Sequence, residues 1–235
     1  MEKNLYIKIL IAIIIMLAIV FFLKTSKTEN KQNLNDYKEN MSIKDIETII
    51  EKSNNITSYR CKYLLPDGQE ATEKYKNNKG IIEIENNFYY YDYENKKTIL
   101  LGKEQRIAIK KNDLDRMGDT LKIQLEEISK VLKTIEKDEY STKDNEIYDN
   151  KNCILIEIKK IYSSDGWSFD ENLKEYDGKE IIYKIWMEKE TGAVLKKETK
   201  CEDKKFVTEY KYEFNCVTDE EMIEPNLTGY KIIEQ

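Results

Sequence analysis

An unbroken apolar run lies near the start of the chain. Residues 9–23 are all apolar, and the run extends back to residue 5 if Lys8 is included. At about 1.5 Å per residue, a helix over residues 5–23 spans about 28 Å, close to the hydrocarbon thickness of a bilayer. The pattern therefore predicts a transmembrane signal-anchor over residues 1–23.

The residues that end this run indicate that the anchor is retained. A cleaved signal peptide carries small residues at this point, whereas the run ends in Phe21, Phe22, Leu23 and Lys24. A lipid-modified protein needs a cysteine here, and the first one is Cys61. A buried core helix is the alternative, and the run's apolar character on every side disfavours it. Because lysines flank both ends, their charges leave the membrane orientation open.

A polar stretch and a short helix follow the anchor. Residues 24–41 are almost all polar and lack apolar periodicity, which predicts a flexible linker before a domain over residues 42–235. Ser42 has the character of an N-cap, and isoleucines at 43, 46, 49 and 50 share one helical face. We therefore expect an amphipathic helix through residue 52.

Most of the remaining domain has the alternation of period two that is typical of strands. It predicts strands over residues 58–65, 81–85, 88–93, 98–101, 106–110, 152–161, 179–188, 193–200 and 206–216. Residues 190–192 and 202–204 form short turns, so the last three strands should be antiparallel neighbours. In residues 206–216 the even-numbered positions, including Cys216, should face the core, while the odd-numbered positions face water.

One long segment between the strands has helical spacing instead. Over residues 113–137, apolar side chains form a single stripe that includes Leu121, Leu125, Ile128 and Leu132. A coiled coil is the competing interpretation, but barely three heptads in a strand-rich chain favour packing on the domain's own sheet. We therefore predict an α+β domain, and we take these four residues as candidate contacts for an apolar ligand.

Charge and composition narrow the classes of function. The chain is 36% charged with a net charge of −6, and its acidic and basic residues are interleaved without a basic stripe. Phosphate binding needs a basic surface, so a nucleic-acid partner is not expected. The low content of glycine and proline indicates an ordered domain.

The absence of histidine argues against most enzyme classes. It removes the Ser-His-Asp and Cys-His mechanisms and histidine-ligated zinc. No serine is followed three residues later by lysine, and the chain has no glycine-rich phosphate loop. Acidic pairs such as Glu126 and Glu127 are typical of solvated helix faces, and the stretch 165–170 (DGWSFD) does not have the spacing of an EF-hand loop. We expect no catalytic residues, no metal and no cofactor.

The cysteines and a tyrosine-rich run each leave two interpretations open. Cys61, Cys153, Cys201 and Cys216 could form two disulfides or remain buried thiols, and we favour thiols. A bond between Cys201 and Cys216 is not expected, because a hairpin turning near residue 203 separates them by about 33 Å. The run 88–93 (FYYYDY) could stack on glycan rings or could be a strand with aromatic residues on both faces.

Two segments near the end of the chain resemble a known family. Residues 181–192 read IIYKIWMEKETG and lead into a lysine-rich return strand, and residues 209–219 read EYKYEFNCVTD before an acidic loop and Pro225. They resemble the LolA/LolB-like lipoprotein-carrier fold, including the sporulation and germination (GerS-like) proteins of that class. The resemblance implies a strongly curved antiparallel β-sheet, an incomplete barrel, with helices on its concave face and a location outside the cytoplasmic membrane.

The resemblance and the anchor together suggest a function. We expect a single-pass protein of the cell membrane whose extracytoplasmic domain is a non-enzymatic binding module for a lipid, a lipoprotein or an envelope partner. The alternative is a sporulation or germination regulator that binds and activates a cell-wall hydrolase. A large apolar cavity under the long helix would favour a lipid, whereas a filled core with an exposed apolar sheet patch would favour a protein partner.

Overall fold

The computed structural model describes residues 40–65, 67–112, 119–136, 139–161 and 178–235. The predicted anchor, most of the linker and the 165–170 turn lie outside these residues. Neither described helix has the length and apolar character needed to cross a membrane.

Within the described residues, twelve strands form one sheet. They are β1 (Ser58–Leu64), β2 (Glu70–Lys76), β3 (Lys79–Ile84), β4 (Asn87–Asp92), β5 (Lys97–Gly102), β6 (Ile107–Lys111), β7 (Tyr140–Tyr148), β8 (Lys151–Ile161), β9 (Glu180–Glu188), β10 (Val194–Cys201), β11 (Lys204–Phe214) and β12 (Lys231–Glu234). Their order is β12-β6-β5-β4-β3-β2-β1-β11-β10-β9-β8-β7, and the sheet is curved and unclosed. Large twisted sheets curl in this way because each strand is rotated relative to its neighbour.

All nine predicted strands are present, and three further strands were missed. β2 and β7 are rich in charged and polar residues, and β12 has only four residues, so none of them shows apolar alternation. The pairing is antiparallel throughout, except that β12 runs parallel to β6. The β10–β11 hairpin is tighter than expected, since Cys201 pairs with Lys204 and Thr199 pairs with Phe206. All four cysteines are free thiols in the described structure.

Two helices lie on one side of the sheet, which we call the helix face. Helix α1 (Ile43–Glu51) is capped by the Ser42 side chain, as predicted, and continues into a 3₁₀ turn (Lys52–Asn55). Helix α2 (Thr120–Leu132) is shorter than the expected 113–137. It begins after Asp119, whose carboxylate accepts a hydrogen bond from the Lys122 N–H and so caps the first turn. Its last turn ends at Leu132, with the Thr134 hydroxyl bonded to the Val131 carbonyl.

The main core lies between these helices and the strands β1 and β8–β11. Both helices contribute to it, and Ile154, Ile156 and Ile158 of β8 are fully buried there. Helix α1 also rests on the turn before β10, where Gly192 has a φ of +73° and its α-carbon faces the Ile49 carbonyl closely. Glycine fits this position because it combines a positive φ with an approach that leaves no room for a side chain.

The opposite side of the sheet, the strap face, carries a second core. After β11 the backbone turns at Asn215, and residues 217–230, which we call the outer strap, lead from the centre of the sheet to β12 at its edge. Apolar residues of the strap pack against the outward-facing side chains of β3–β6, and they are Val217, Met222, Leu227 and Tyr230. Cys216 packs with this second core, so its predicted place on the helix face is wrong because the strand ends at Phe214.

The tyrosine-rich run contributes buried side chains to both faces of the sheet. Phe88 and Tyr90 pack under the outer strap, while Tyr89 and Tyr91 pack on the helix face. Tyr90 and Tyr91 are almost fully buried. Their rings are therefore not available to stack on glycans, and the interpretation as a strand with aromatic residues on both faces is correct.

Candidate functional site

A cavity of about 540 Å³ lies on the helix face beside α2. Helix α2 forms one wall, the end of α1 and the following 3₁₀ turn form another, and tyrosines of β1 and β2 complete the lining. The lining residues are Ile50, Glu51, Ser53, Asn54, Ile56, Tyr59, Tyr75, Asp119, Leu121, Lys122, Leu125, Glu126, Ser129, Lys130 and Lys133. A space of this volume is within the usual range for small-molecule sites in proteins.

The cavity lining is apolar where it is buried and charged where it is exposed to solvent. Leu121, Leu125 and Tyr59 are buried, while Lys122 and Glu126 on the same helix are exposed. This distribution follows from the helical period, since α2 turns one side towards the sheet and the other towards solvent. The arrangement suits an amphiphile whose apolar part enters the cavity and whose polar part stays at the opening.

The four candidate residues are divided between this cavity and the core. Leu121 and Leu125 line the cavity, while Ile128 and Leu132 are buried in the main core and do not line it. The helical stripe therefore identified two lining residues and two packing residues, because periodicity shows which side is buried but not what lies opposite. Whether any of the four contacts a ligand stays a prediction.

Sequence reasoning missed the sheet side of the cavity. Tyr59 and Tyr75 are paired residues of β1 and β2, and their rings stack with centroids 5.5 Å apart. Tyr59 also meets Tyr212 of β11 edge-on at 5.6 Å, which connects the cavity wall to the aromatic residues of the main core. The alternation in β1 could have indicated Tyr59, but its neighbour on β2 lies in a strand without a clear apolar pattern.

Two buried carboxyl groups lie next to this cavity. Glu73 of β2 is fully buried, and it accepts hydrogen bonds from the Thr120 backbone N–H at 2.8 Å, from the Thr120 hydroxyl and from the Tyr59 hydroxyl. Asp119 is buried at the start of α2, and its Oδ1 lies 3.0 Å from the Tyr59 hydroxyl oxygen. Burial raises the pKa of both carboxyls, although the hydrogen bonds partly oppose the change.

The side chains of this region do not form a recognisable reaction centre. Burial raises the pKa of the Cys61 thiol well above its ordinary value, so it is not the thiolate that a nucleophile requires. The acids are engaged with the first turn of α2, and the described residues contain no cluster of acidic and cysteine side chains that could hold a metal ion.

Comparison with known proteins gives similarity of structure only. No protein-family model matches the sequence, and no curated protein matches it significantly. An uncharacterized conserved protein of Thermus thermophilus matches with a TM-score of 0.48 and 9% identity, covering 82% of this chain and 98% of that one. The lipoprotein LppX of Mycobacterium tuberculosis matches with a TM-score of 0.44 and 10% identity, covering 75% and 96%.

A LolA superfamily protein of Nitrosomonas europaea also matches, with a TM-score of 0.26, 10% identity and coverage of 76% and 97%. Similarities this low do not indicate what the chain binds. The described architecture is a curved, unclosed and almost entirely antiparallel sheet with two helices on one face, as the resemblance implied, and this part of the prediction is confirmed. Kinship with the germination proteins stays a prediction.

Proposed function

We propose that this protein is a membrane-tethered, non-enzymatic binding module that holds the apolar chain of a lipid or lipoprotein against helix α2. The observation that carries the proposal is the cavity of about 540 Å³, whose buried side is lined by the apolar and aromatic side chains of Leu121, Leu125 and Tyr59. A filled core under α2 would have removed this possibility. The four candidate residues then have two roles, with Leu121 and Leu125 contacting the ligand and Ile128 and Leu132 holding the helix in place.

The charges at the opening support an amphiphilic ligand. Lys122, Lys130 and Lys133 follow one side of α2, and all three line the cavity. Cations on flexible stems can neutralise a phosphate or carboxylate headgroup while their methylene groups cover apolar surface. Glu51 and Glu126 also line this space, so the opening is mixed in sign and a zwitterionic headgroup would fit as well.

The tether and location in this proposal come from the sequence. Residues 1–23 have the length and composition of a membrane anchor, and the polar residues that follow would let the domain stand clear of the bilayer. A domain held in this way could collect a lipid from the membrane to which it is attached. The resemblance of the sequence to the LolA-like class supports an extracytoplasmic location.

The test is photocross-linking in vesicles. The full-length protein is reconstituted with a phospholipid that carries a photoreactive acyl chain, and cross-linked peptides are mapped by mass spectrometry. We expect cross-links at Leu121, Leu125 and Tyr59. Ser129→Trp places a large ring in the cavity from a position on α2 that is only half-buried, and it should reduce these cross-links at least tenfold.

A matched control makes this result interpretable. Ser141→Trp introduces the same ring on the exposed side of β7, away from the cavity, and should cross-link as the wild type does. Wild-type protein that cross-links only through its anchor would contradict the proposal. So would cavity cross-links that persist unchanged in Ser129→Trp.

A second candidate is the regulator that binds and activates a cell-wall hydrolase. The observation that favours it is the exposed apolar side chain of Ile147, which is 70% accessible on the edge strand β7. An edge strand presents unpaired backbone groups that a partner's strand can use. If hydrolase activation is the function, Ile147→Glu should abolish it while leaving lipid cross-linking unchanged.

A further inference from the structure

The first turn of α2 is attached to the sheet by a buried polar cluster, which we call the carboxyl latch and define as Glu73, Tyr59 and Asp119. Glu73 projects from β2 and binds both the backbone N–H and the hydroxyl of Thr120. Asp119 caps the same turn through the Lys122 N–H at 3.1 Å. Tyr59 of β1 contacts both acids, so one hydroxyl joins the helix start to the sheet.

The carboxyl latch has too few hydrogen atoms to bridge all of its oxygen contacts if both acids are ionised. The Tyr59 hydroxyl has one hydrogen, yet its oxygen lies within hydrogen-bonding distance of a carboxyl oxygen of both Glu73 and Asp119. If both acids were ionised, one of these contacts would place two oxygen atoms together without a hydrogen between them. Glu73 and Tyr59 are at most 1% exposed, so bulk water does not screen that repulsion.

We propose that the two carboxyls of the latch share one proton while α2 lies on the sheet, and that loss of this proton releases the first turn of α2. With the proton present, one carboxyl donates to the Tyr59 oxygen and Tyr59 donates to the other carboxyl. Every contact then has a hydrogen. Without it, two negative charges face each other in a buried site, and separating the helix from the sheet lets water reach them.

Among the described residues, the surroundings of the latch offer little compensation for a second negative charge. The cation that acts on Asp119 there is Lys122, but it is exposed, and Glu126 on the same helix opposes it. The other titratable groups that face the latch from the described strands and turns are neutral phenols and a thiol, from β1, β2, β11 and the turn after β4: Cys61, Tyr63, Tyr75, Tyr93 and Tyr212. Burial raises the pKa of Glu73 and of Asp119, as this arrangement requires.

The raised pKa values of Glu73 and Asp119 determine whether rising pH favours the closed or the open state of the latch. A carboxyl whose pKa is higher in the closed state binds its proton more tightly there than in the open state. The closed state is therefore fully favoured below the ordinary carboxyl pKa and is progressively weakened as pH rises through the raised value. Tyr59 and Asp119 also line the cavity, so release of the helix start would open the cavity at that end.

Hydrogen exchange of the full-length protein between pH 5 and pH 9 tests the latch without any ligand. After correction for the intrinsic exchange rate, we expect protection of the amides of residues 120–124 to fall at least tenfold as pH rises. Glu73→Gln keeps the shape of the side chain without the charge and should remove this dependence, and Asp119→Asn should weaken it. Glu136→Gln changes an exposed acid just beyond α2, outside the latch and the cavity lining, and should behave as the wild type.

Infrared spectroscopy gives a second readout that does not depend on whether a variant folds. The wild-type protein should show the carbonyl stretch of a protonated carboxylic acid at pH 6 and lose it on titration to alkaline pH. Absence of this band at pH 6, or pH-independent protection of residues 120–124 in the wild type, would overturn the proposal. Because neither measurement involves lipid, both outcomes are separate from the success or failure of the cavity as a lipid site.

Discussion

The two faces of the sheet are covered in different ways. On the helix face, α1 and α2 satisfy their own backbone hydrogen bonds and bury polar side chains such as Glu73 against the strands. On the strap face, a mostly irregular segment crosses the strands and is held by ion pairs at its surface. Glu221 of the strap lies 2.8 Å from Arg60 and 3.2 Å from Lys74, and Glu224 lies 2.6 Å from Lys97.

The comparison shows how environment decides the behaviour of one chemical group. The carboxyl of Glu73 has a raised pKa because burial disfavours its charged form. The carboxyl of Glu221 has its pKa lowered to about 2, because the Thr218 N–H and the cations Arg60 and Lys74 stabilise the charged form. We call α1 and α2 the helix cover and the outer strap the strap cover. The stability that each cover contributes should therefore change with pH in opposite directions.

The largest effect should come from placing a charge under the helix cover. Leu125→Lys removes a buried side chain and buries an ammonium group beside the main core, at a cost of about 5 kcal/mol or more. Domains of this size have about 5–15 kcal/mol of stability, so we expect unfolding or a severe loss in urea titrations. Met222→Lys makes the same change under the strap and should cost clearly less, since the strap can lift without unfolding the sheet.

Equal losses for these two variants would contradict a difference between the covers. The pair also bears on function. If Leu125→Lys collapses and wild-type protein retains no lipid, α2 is only a structural element, and the partner-binding candidate becomes the better one.

The contact between α1 and the turn before β10 should be the next most sensitive. Gly192→Ala combines a positive φ with a side chain pressed against the Ile49 carbonyl, and we expect a loss of about 2–3 kcal/mol in thermal or urea unfolding. Gly178 has a similar φ of +76° but open space around it, so Gly178→Ala should cost only about 1 kcal/mol. Similar losses at both positions would mean that backbone strain alone matters and that α1 does not depend on the close approach.

The free energy of unfolding, measured across pH, should depend on pH in opposite directions for the helix cover and the strap cover. For Glu221, the lowered pKa contributes stability that is present above its ordinary value of 4.5 and is lost as pH falls towards 2. Glu221→Gln should therefore flatten the acid side of the stability profile. For Glu73, the raised pKa means that stability falls as pH rises above 4.5, and Glu73→Gln should flatten that side instead. A profile in which both variants flatten the same side would refute the comparison.

The smallest effect is expected at a single ion pair of the strap. Lys97→Gln removes the contact with Glu224, and because both side chains are partly exposed, the loss should be about 0.5 kcal/mol. Lys103→Gln, at a more exposed pair with Glu83, provides the comparison and should cost no more. A loss above about 2 kcal/mol at Lys97 would show that the strap is held by individual ion pairs and not mainly by its apolar residues.

Local sequence patterns predicted much of the fold. Period-two alternation located nine of the twelve strands, the Ser42 cap located α1, and the turns at 190–192 and 202–204 predicted the neighbours of β10. These features depend on residues close in the chain, so their physical causes are present in the sequence itself. The candidate site was predicted in part, since the stripe on α2 supplied Leu121 and Leu125 but not the tyrosines opposite them.

Patterns failed where a strand's surroundings differ from the average. Residues 206–216 show the pattern of a half-buried strand, and β11 is indeed buried on one face, but β3 and β4 carry buried side chains on both faces. β2 presents Glu73 to the core because α2 supplies backbone and hydroxyl donors there, and a charged residue in a strand otherwise indicates solvent. No periodic pattern in the sequence indicates that Thr120 supplies these donors.

By itself, then, the sequence located nine strands and both helices and excluded histidine chemistry, while the membrane anchor stays a prediction. The tertiary structure decided the pairing of β1 with β11, which joins residues about 150 positions apart, and the path of the outer strap across the second face. It also decided the cavity, whose walls come from α1, α2, β1 and β2. Such contacts depend on the packing of the whole chain, because many arrangements satisfy the same local preferences and only their combined burial and hydrogen bonding selects one.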